Sequence, residues 1–157
     1  MNRSNMKNLK YLVILLLFMI CISCERQPNS PVELQFEKME IHYTKSGGWI
    51  QTVYLDILGN GIGYIHYPPQ SSLADSTFWL TNGEKERLAT LFSSFSDYNS
   101  HYEPDEFFTD QNYHSIIFIY NQKPDTVSVY DLGHAQLPLS LQLLINNLEN
   151  LAHQHLR

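Results

Sequence analysis

The alternation of apolar and polar residues predicts five β-strands in this chain. Segments with this two-residue period are separated by residues that favour turns, mainly Gly, Asn and Pro. The predicted strands cover residues 32–43, 49–58, 62–67, 113–120 and 126–130, with a bulge near Glu37 and Lys38 in the first. Residues 113–120 read YHSIIFIY and are apolar on both faces, which indicates a strand in the middle of a sheet.

Two further segments carry apolar residues at helical spacing. Thr81 and Glu84 form a capping box before the first helix, and Pro138 is expected at the first position of the second. The predicted buried stripes are Leu88, Leu91, Phe92 and Phe95 in the first helix and Leu141, Leu144, Ile145, Leu148 and Leu151 in the second. Gly59-Asn60-Gly61 predicts a hairpin between the second and third strands.

The order of elements is β-β-β-α-β-β-α, without a parallel βαβ repeat. It predicts a two-layer α+β domain, in which a mainly antiparallel five-stranded sheet carries two helices on one face. If the apolar positions of the strands face the helices, the other face carries Thr52, Tyr54, Thr126, Ser128 and Tyr130. Tyrosine offers a large contact area with few rotatable bonds, so we expect Tyr54 and Tyr130 to contact a binding partner.

The N-terminal residues predict a signal sequence. Arg3, Lys7 and Lys10 precede an uncharged run, YLVILLLFMICI, at residues 11–22. A run of about 12 residues suits a signal peptide, because a membrane-spanning helix needs about 20. Ser23 and Cys24 follow, and this ending resembles the lipobox of bacterial lipoproteins, although Cys21 stands where that family prefers an aliphatic residue. The resemblance implies cleavage before Cys24 and lipid attachment to it.

This reading divides the chain into a signal peptide at residues 1–23, a tether at 24–31 and one globular domain at 32–157. The tether reads CERQPNSP, which is polar and contains two prolines. Lipid on Cys24 would hold the domain on a membrane outside the cytoplasm, and the absence of an acidic run after Cys24 favours a periplasm-facing position. Cys21 and Cys24 are the two cysteines of the sequence, so thiol catalysis and cysteine-based zinc sites are excluded from the domain.

Charge narrows the range of partners. The sequence has ten basic and sixteen acidic residues; three of the basic ones and none of the acidic ones precede Cys24, which leaves a net charge of −9 with histidines counted as neutral. A surface of this charge repels nucleic acids and anionic lipids. The expected contacts are the membrane, through Cys24, and a protein of the cell envelope.

An acidic and aromatic stretch, SFSDYNSHYEPDEFFTDQNY at residues 94–113, is the segment richest in candidate binding groups. It has three interpretations: a connection whose rings fill the core, a loop that binds a partner, or a cation site. The alternating residues from Asp97 onward resemble an EF-hand loop, but Tyr102 and Phe108 stand where that loop needs glycine and a bidentate acid. The candidate binding residues of this stretch are Asp97, Tyr102, Glu103, Asp105 and Asp110.

No catalytic motif of a known kind is present. The sequence lacks a G-x-S-x-G elbow and an H-E-x-x-H helix, and its Gly59–Gly63 glycines lie between strands and not before a helix. We therefore expect a protein that is not an enzyme and that needs neither cofactor nor metal. The alternatives are a small-ligand or cation-binding protein, or a hydrolase with a site around His101, Asp105 and Asp110.

The globular part also resembles a family of small lipoproteins of unknown function from Bacteroidetes-type bacteria. The shared features are Leu80-Thr81 with Glu84, Tyr102, Thr109-Asp110, and Pro138 before the last helix. Some members have a C-x-x-C-P segment in the first hairpin, where this chain has Lys45-Ser46-Gly47-Gly48, so a role of those cysteines does not transfer. The resemblance implies a fold and an envelope location, and it implies no activity.

Overall fold

A computed structural model describes residues 34–47, 51–104, 112–130 and 136–156. All of these residues lie in the compact unit Val32–Arg157. They form seven strands: β1 Met39–Ser46, β2 Val53–Ile57, β3 Ile62–His66, β4 Ser76–Trp79, β5 His101–Tyr102, β6 Tyr113–Tyr120 and β7 Lys123–Tyr130. The helices are α1 Asn82–Phe92 and α2 Leu139–His155, and neither is long and apolar enough to cross a membrane.

The strands form a single sheet in the order β4-β3-β2-β1-β6-β7-β5. Every pairing in it is antiparallel except the one between β5 and β7, which is parallel. The predicted α+β class is confirmed, whereas the prediction of five strands is wrong because it omits β4 and β5. These strands are four and two residues long, too short to display a repeating pattern, and β5 is held by a long-range parallel contact.

Both helices pack against the same face of the sheet. Odd-numbered residues of β1 and β2, such as Ile41 and Leu55, are buried there together with Leu88 of α1 and Leu144 of α2. The predicted stripe of α2 is buried as a whole. In α1, Leu88 and Phe92 are buried, and Phe95 fills the core from the 3₁₀ turn that follows the helix.

Capping and turn residues explain where most elements begin. Glu84 donates its backbone N–H to the Thr81 hydroxyl, while its carboxylate accepts from the Thr81 backbone, so the predicted capping box is present. Pro138 occupies the N-cap position of α2 and not the first helical position that was predicted. The hairpin between β6 and β7 needs only Asn121 and Gln122, both with positive φ, so β7 begins at Lys123, three residues earlier than predicted.

The segment before β1 differs from the prediction of a bulged strand. Phe36–Lys38 forms a 3₁₀ turn, closed by the Lys38 N–H that donates to the Gln35 carbonyl at 3.0 Å. This turn places Phe36 in the core without extending the sheet. Gly59 is required beside it, because a Cβ at that position would collide with the Glu37 carbonyl group.

Candidate functional site

One face of the sheet remains uncovered by the two helices. We call it the open face and define it as the even-numbered residues of β1, β2, β3 and β7 and the odd-numbered residues of β4, β5 and β6. None of its residues is buried. Its most exposed large apolar side chains are Tyr64, Trp79 and Ile117, with 37%, 67% and 37% of their surface accessible.

Pairing across the strands aligns polar and aromatic side chains in rows on the open face. One row runs through six strands and consists of His66, Tyr54, Thr44, Ser115, Ser128 and His101. The neighbouring row places Tyr64 beside Asp56, and Asp56 beside His42. Tyrosine, serine and threonine supply rigid contact area and adaptable hydrogen bonds, the combination found in many protein-binding surfaces.

Asp56 joins two histidines in the first of two clusters on this face. The Nδ1 atom of His42 lies 2.7 Å from Oδ1 of Asp56, and Nδ1 of His66 lies 3.5 Å from the other carboxylate oxygen. The His66 ring stacks on Tyr54 with 4.9 Å between the ring centroids. The side chains of His42 and His66 are 36% and 40% exposed, so both imidazoles remain accessible to a ligand.

The second cluster lies at the β5 end of the open face. Nε2 of His101 is 2.6 Å from a carboxylate oxygen of Glu103. The rings of His101 and Tyr130 make an edge-type contact, and Tyr130 in turn packs against Tyr113. The Tyr113 hydroxyl lies 3.3 Å from the Ser128 hydroxyl. Each cluster therefore combines histidine, carboxylate and tyrosine.

Tyr54 and Tyr130, the two predicted binding residues of the sheet, both lie on the open face and belong to these two clusters. Val53, Leu55, Val127 and Val129 point to the helices, as the predicted orientation requires; Val53 is half-buried and the others are buried. The remaining members of the predicted polar face, Thr52, Thr126 and Ser128, are all at least partly accessible. The orientation of β2 and β7 is therefore the predicted one.

The candidate residues of the acidic stretch do not form one site. Asp97 ends the 3₁₀ turn Phe95–Asp97 and is exposed. Tyr102 packs against the core, and its hydroxyl accepts the Asn99 N–H at 3.0 Å. Tyr102 thus has a structural contact, and Glu103 is the residue of this stretch that the structure brings to a histidine.

Three predicted residues lie outside the described part of the chain. Asp105 and Asp110 belong to residues 105–111, and Cys24 belongs to residues 1–33. The cation site and the hydrolase site that include Asp105 and Asp110 stay predictions. Within the described ranges, no three His, Cys, Asp or Glu side chains are arranged to hold a metal ion.

The buried face carries a polar cluster with the same residue types. His114 is 1% exposed, and its Nδ1 lies 2.8 Å from the Tyr43 hydroxyl. Tyr43 donates to Glu149 of α2 at 3.3 Å, and Lys45 donates to the same oxygen at 2.7 Å. These bonds form a chain from β6 through β1 to α2.

Burial controls proton binding in this cluster. Desolvation lowers the pKa of His114 to about 4, and Lys45 adds to that effect while Glu149 opposes it. Desolvation and the nearby Glu149 carboxylate raise the pKa of the Tyr43 hydroxyl far above its usual value. His114 is therefore neutral at pH 7, and its Nδ1–H can donate to Tyr43 while Tyr43 donates to Glu149. We call this group of Tyr43, Lys45, His114 and Glu149 the buried cluster.

Both histidines of the first cluster turn Nδ1 toward Asp56. Nδ1 of His42 is hydrogen-bonded to this carboxylate, and Nδ1 of His66 lies at ion-pair distance from it. An imidazole held by a carboxylate at Nδ1 keeps Nε2 for another contact, which can be a proton or a group of a ligand.

Sequence reasoning missed the cluster of His42, Asp56 and His66. The signal that could have revealed it is the Gly59-Asn60-Gly61 hairpin, which fixes the pairing of Tyr54 with His66 and of Asp56 with Tyr64. The His42 contact needed the pairing of β1 with β2, which has a longer connection and no turn motif that sets its register.

Comparisons of the chain with protein-family models and with curated proteins gave no match.

Proposed function

We propose that this chain is a lipid-anchored protein of the cell envelope, facing the periplasm, that binds a protein partner through its open face and catalyses no reaction. The observation that carries the proposal is the open face itself. It presents tyrosines, histidines, hydroxyl groups and an exposed tryptophan on a sheet whose other face packs against the two helices. The N-terminal sequence, with Cys24 after an apolar run, supports the membrane anchor.

The size of the face supports a protein partner over a small molecule. Seven strands about 4.8 Å apart and roughly six residues long give a surface of roughly 29 by 20 Å. A specific protein interface buries about 800 Å² on each partner, which a surface of this size with projecting rings approaches. A small molecule would need a concave pocket that covers most of its surface.

Site-specific photo-crosslinking in cells tests the binding face. A photoreactive residue replaces Tyr64 or Thr126 on the open face, or Leu143 or Asn146 on the exposed side of α2 as matched controls. We expect one reproducible adduct from the open-face positions and none from the α2 positions, and loss of the adduct when Tyr54→Ala and Tyr130→Ala are combined. Equal adducts from both layers, or none from the open face, would contradict the proposal.

A cysteine pair tests the anchor. Cys24→Ser should abolish acylation of the mature N-terminus, whereas Cys21→Ser should leave it unchanged because Cys21 would be removed with the signal peptide. Mass spectrometry of the N-terminal peptide from membranes measures both. An unlipidated Cys24 in the unmodified chain would refute the lipoprotein part of the proposal and leave the binding face to its own test.

A further inference from the structure

Among the described residues, the charged groups of the open face are acids and histidines. Its acids are Glu40 and Asp56, with Glu103 adjoining β5, and it has no lysine or arginine. Its only groups able to carry positive charge are the three histidines. Each of them lies within ion-pair distance of a carboxylate, at 2.7 Å for His42, 3.5 Å for His66 and 2.6 Å for His101.

The basic side chains of the described region belong to other surfaces. Lys45 binds Glu149 on the helix side of the sheet. Lys85 of α1 lies over the Phe36 ring, and Arg87 is also on α1. Lys38 is in the 3₁₀ turn before β1, and Lys123 begins β7 at a position of the helix-facing set. The permanent charges that the described strands present on the open face are therefore negative.

Aromatic rings pack against the histidines that pair with these carboxylates. Tyr54 stacks on His66, whose partner is Asp56, and Tyr130 contacts His101, whose partner is Glu103. A ring face beside a carboxylate is a favourable environment for an ammonium or guanidinium group, which the ring quadrupole and the negative charge both attract. Charge complementarity thus favours a partner surface that presents lysine and arginine side chains.

We propose that the open face binds a cationic protein surface. This inference rests on the proposed function, because it names the chemistry of the partner for the same face. The carboxylates of Glu40, Asp56 and Glu103 supply the negative charge of the face, and lysine and arginine side chains of the partner supply the positive charge.

The expected size of the effect follows from the exposure of these groups. A partly exposed charge pair changes an affinity by roughly two- to fivefold, so the loss of one carboxylate should weaken the binding of a cationic partner by that factor. The same change would alter the binding of a neutral partner little, and it would tighten the binding of an anionic partner. The sign of the effect therefore identifies the charge of the partner.

The test uses the full chain in neutral detergent micelles and a fluorescent peptide of alternating lysine and glycine as the probe. The same peptide with acetylated lysines is the uncharged control. Dissociation constants are measured at one pH and at constant ionic strength, with circular dichroism to verify that each variant is folded. We expect the lysine peptide to bind and the acetylated peptide not to bind.

Matched variants separate the open face from the overall acidity of the chain. Asp56→Asn should weaken binding of the probe roughly two- to fivefold, and Glu86→Gln on α1 should not weaken it. Equal losses from Asp56→Asn and Glu86→Gln would overturn the inference.

The crosslinking experiment at Thr126 distinguishes the two proposals. If the peptide fails to bind while an adduct persists at Thr126, the face binds a partner that is not cationic and only this inference falls. If neither the peptide nor an adduct is detected, the proposed function falls with it.

Discussion

The open face and the buried cluster use the same residue types on opposite sides of the same strand. In β1, His42 points to the open face and reaches Asp56, while the adjacent Tyr43 points to the helices and reaches His114 and Glu149. The side chain of His42 is 36% exposed and that of His114 is 2% exposed. Adjacent residues of β1 therefore belong to two polar groups of similar composition, one accessible to water and one in the core.

This difference separates the polar groups that stabilise the fold from those that are available to bind a partner. The buried cluster must keep all of its hydrogen bonds, because an unsatisfied polar group inside a protein costs about 1–3 kcal/mol. Its pKa changes link it directly to the stability of the fold. On the open face, a hydrogen bond between side chains can be replaced by one to water at little cost in free energy. The same side chains can therefore form hydrogen bonds with a partner instead.

Tyrosine truncation on the two faces should show the largest difference. Tyr43→Ala removes a buried ring and leaves His114 without its partner, so we expect a loss of about 3–5 kcal/mol in the free energy of unfolding. Tyr54→Ala removes a half-buried ring that stacks on His66, so about 1 kcal/mol or less is expected. Urea unfolding of residues 24–157, followed by circular dichroism, measures both, and similar losses would refute the assignment of roles.

His114 should make stability depend on pH. Its folded-state pKa of about 4 is lower than the value expected when the chain is unfolded, so below about pH 6.5 the unfolded chain binds a proton that the folded chain does not. Stability therefore falls as the pH falls from about 6.5 to 4, by about 3 kcal/mol from this residue.

The measurement compares the urea concentration at the midpoint of unfolding at pH 7, 5.5 and 4.5 for the unmodified chain and two variants. His114→Gln should reduce the slope of this midpoint against pH, because glutamine can hydrogen-bond to Tyr43 without titrating. His42→Gln, the matched change on the open face, should leave most of the slope intact. A slope that His114→Gln does not alter would show that other groups cause the acid destabilisation.

Ion pairs on the two faces should differ by a smaller amount. Lys45 and Glu149 are about three-quarters buried and join β1 to α2, so a double-mutant cycle with Lys45→Met and Glu149→Gln should give a coupling of about 1–2 kcal/mol. His42 and Asp56 are more exposed, and a cycle with His42→Gln and Asp56→Asn should give less than about 0.5 kcal/mol at pH 7. Couplings in the reverse order would be inconsistent with the burial of the two pairs.

Substitution of Tyr64 should have the smallest effect on folding. It should weaken binding more than it lowers the free energy of unfolding. Tyr64→Ser on the open face should change the free energy of unfolding by about 0.5 kcal/mol or less. The same variant should reduce the photo-crosslink from Thr126, because Tyr64 is part of the proposed interface. A variant that is strongly destabilised would indicate that Tyr64 supports the sheet.

The periodicity of the sequence determined the main elements of the fold. Local patterns suffice for this, because an amphipathic helix or a half-buried strand is recorded in residues that are close together in the chain. The stripe from Leu141 to Leu151, the capping box of Thr81 and Glu84, and the alternation around Leu55 were all recognised in this way. The same alternation placed Tyr54 and Tyr130 on the face without helices.

Only the tertiary structure decided which distant residues meet. Asp56 reaches His42 because β1 pairs with β2 in one register, and His101 reaches Tyr130 because β5 adds to β7 in parallel. The buried contact of His114 with Tyr43 likewise joins residues that are far apart in the chain. Such contacts depend on strand order and register, which long-range packing selects, and local sequence patterns do not contain this information.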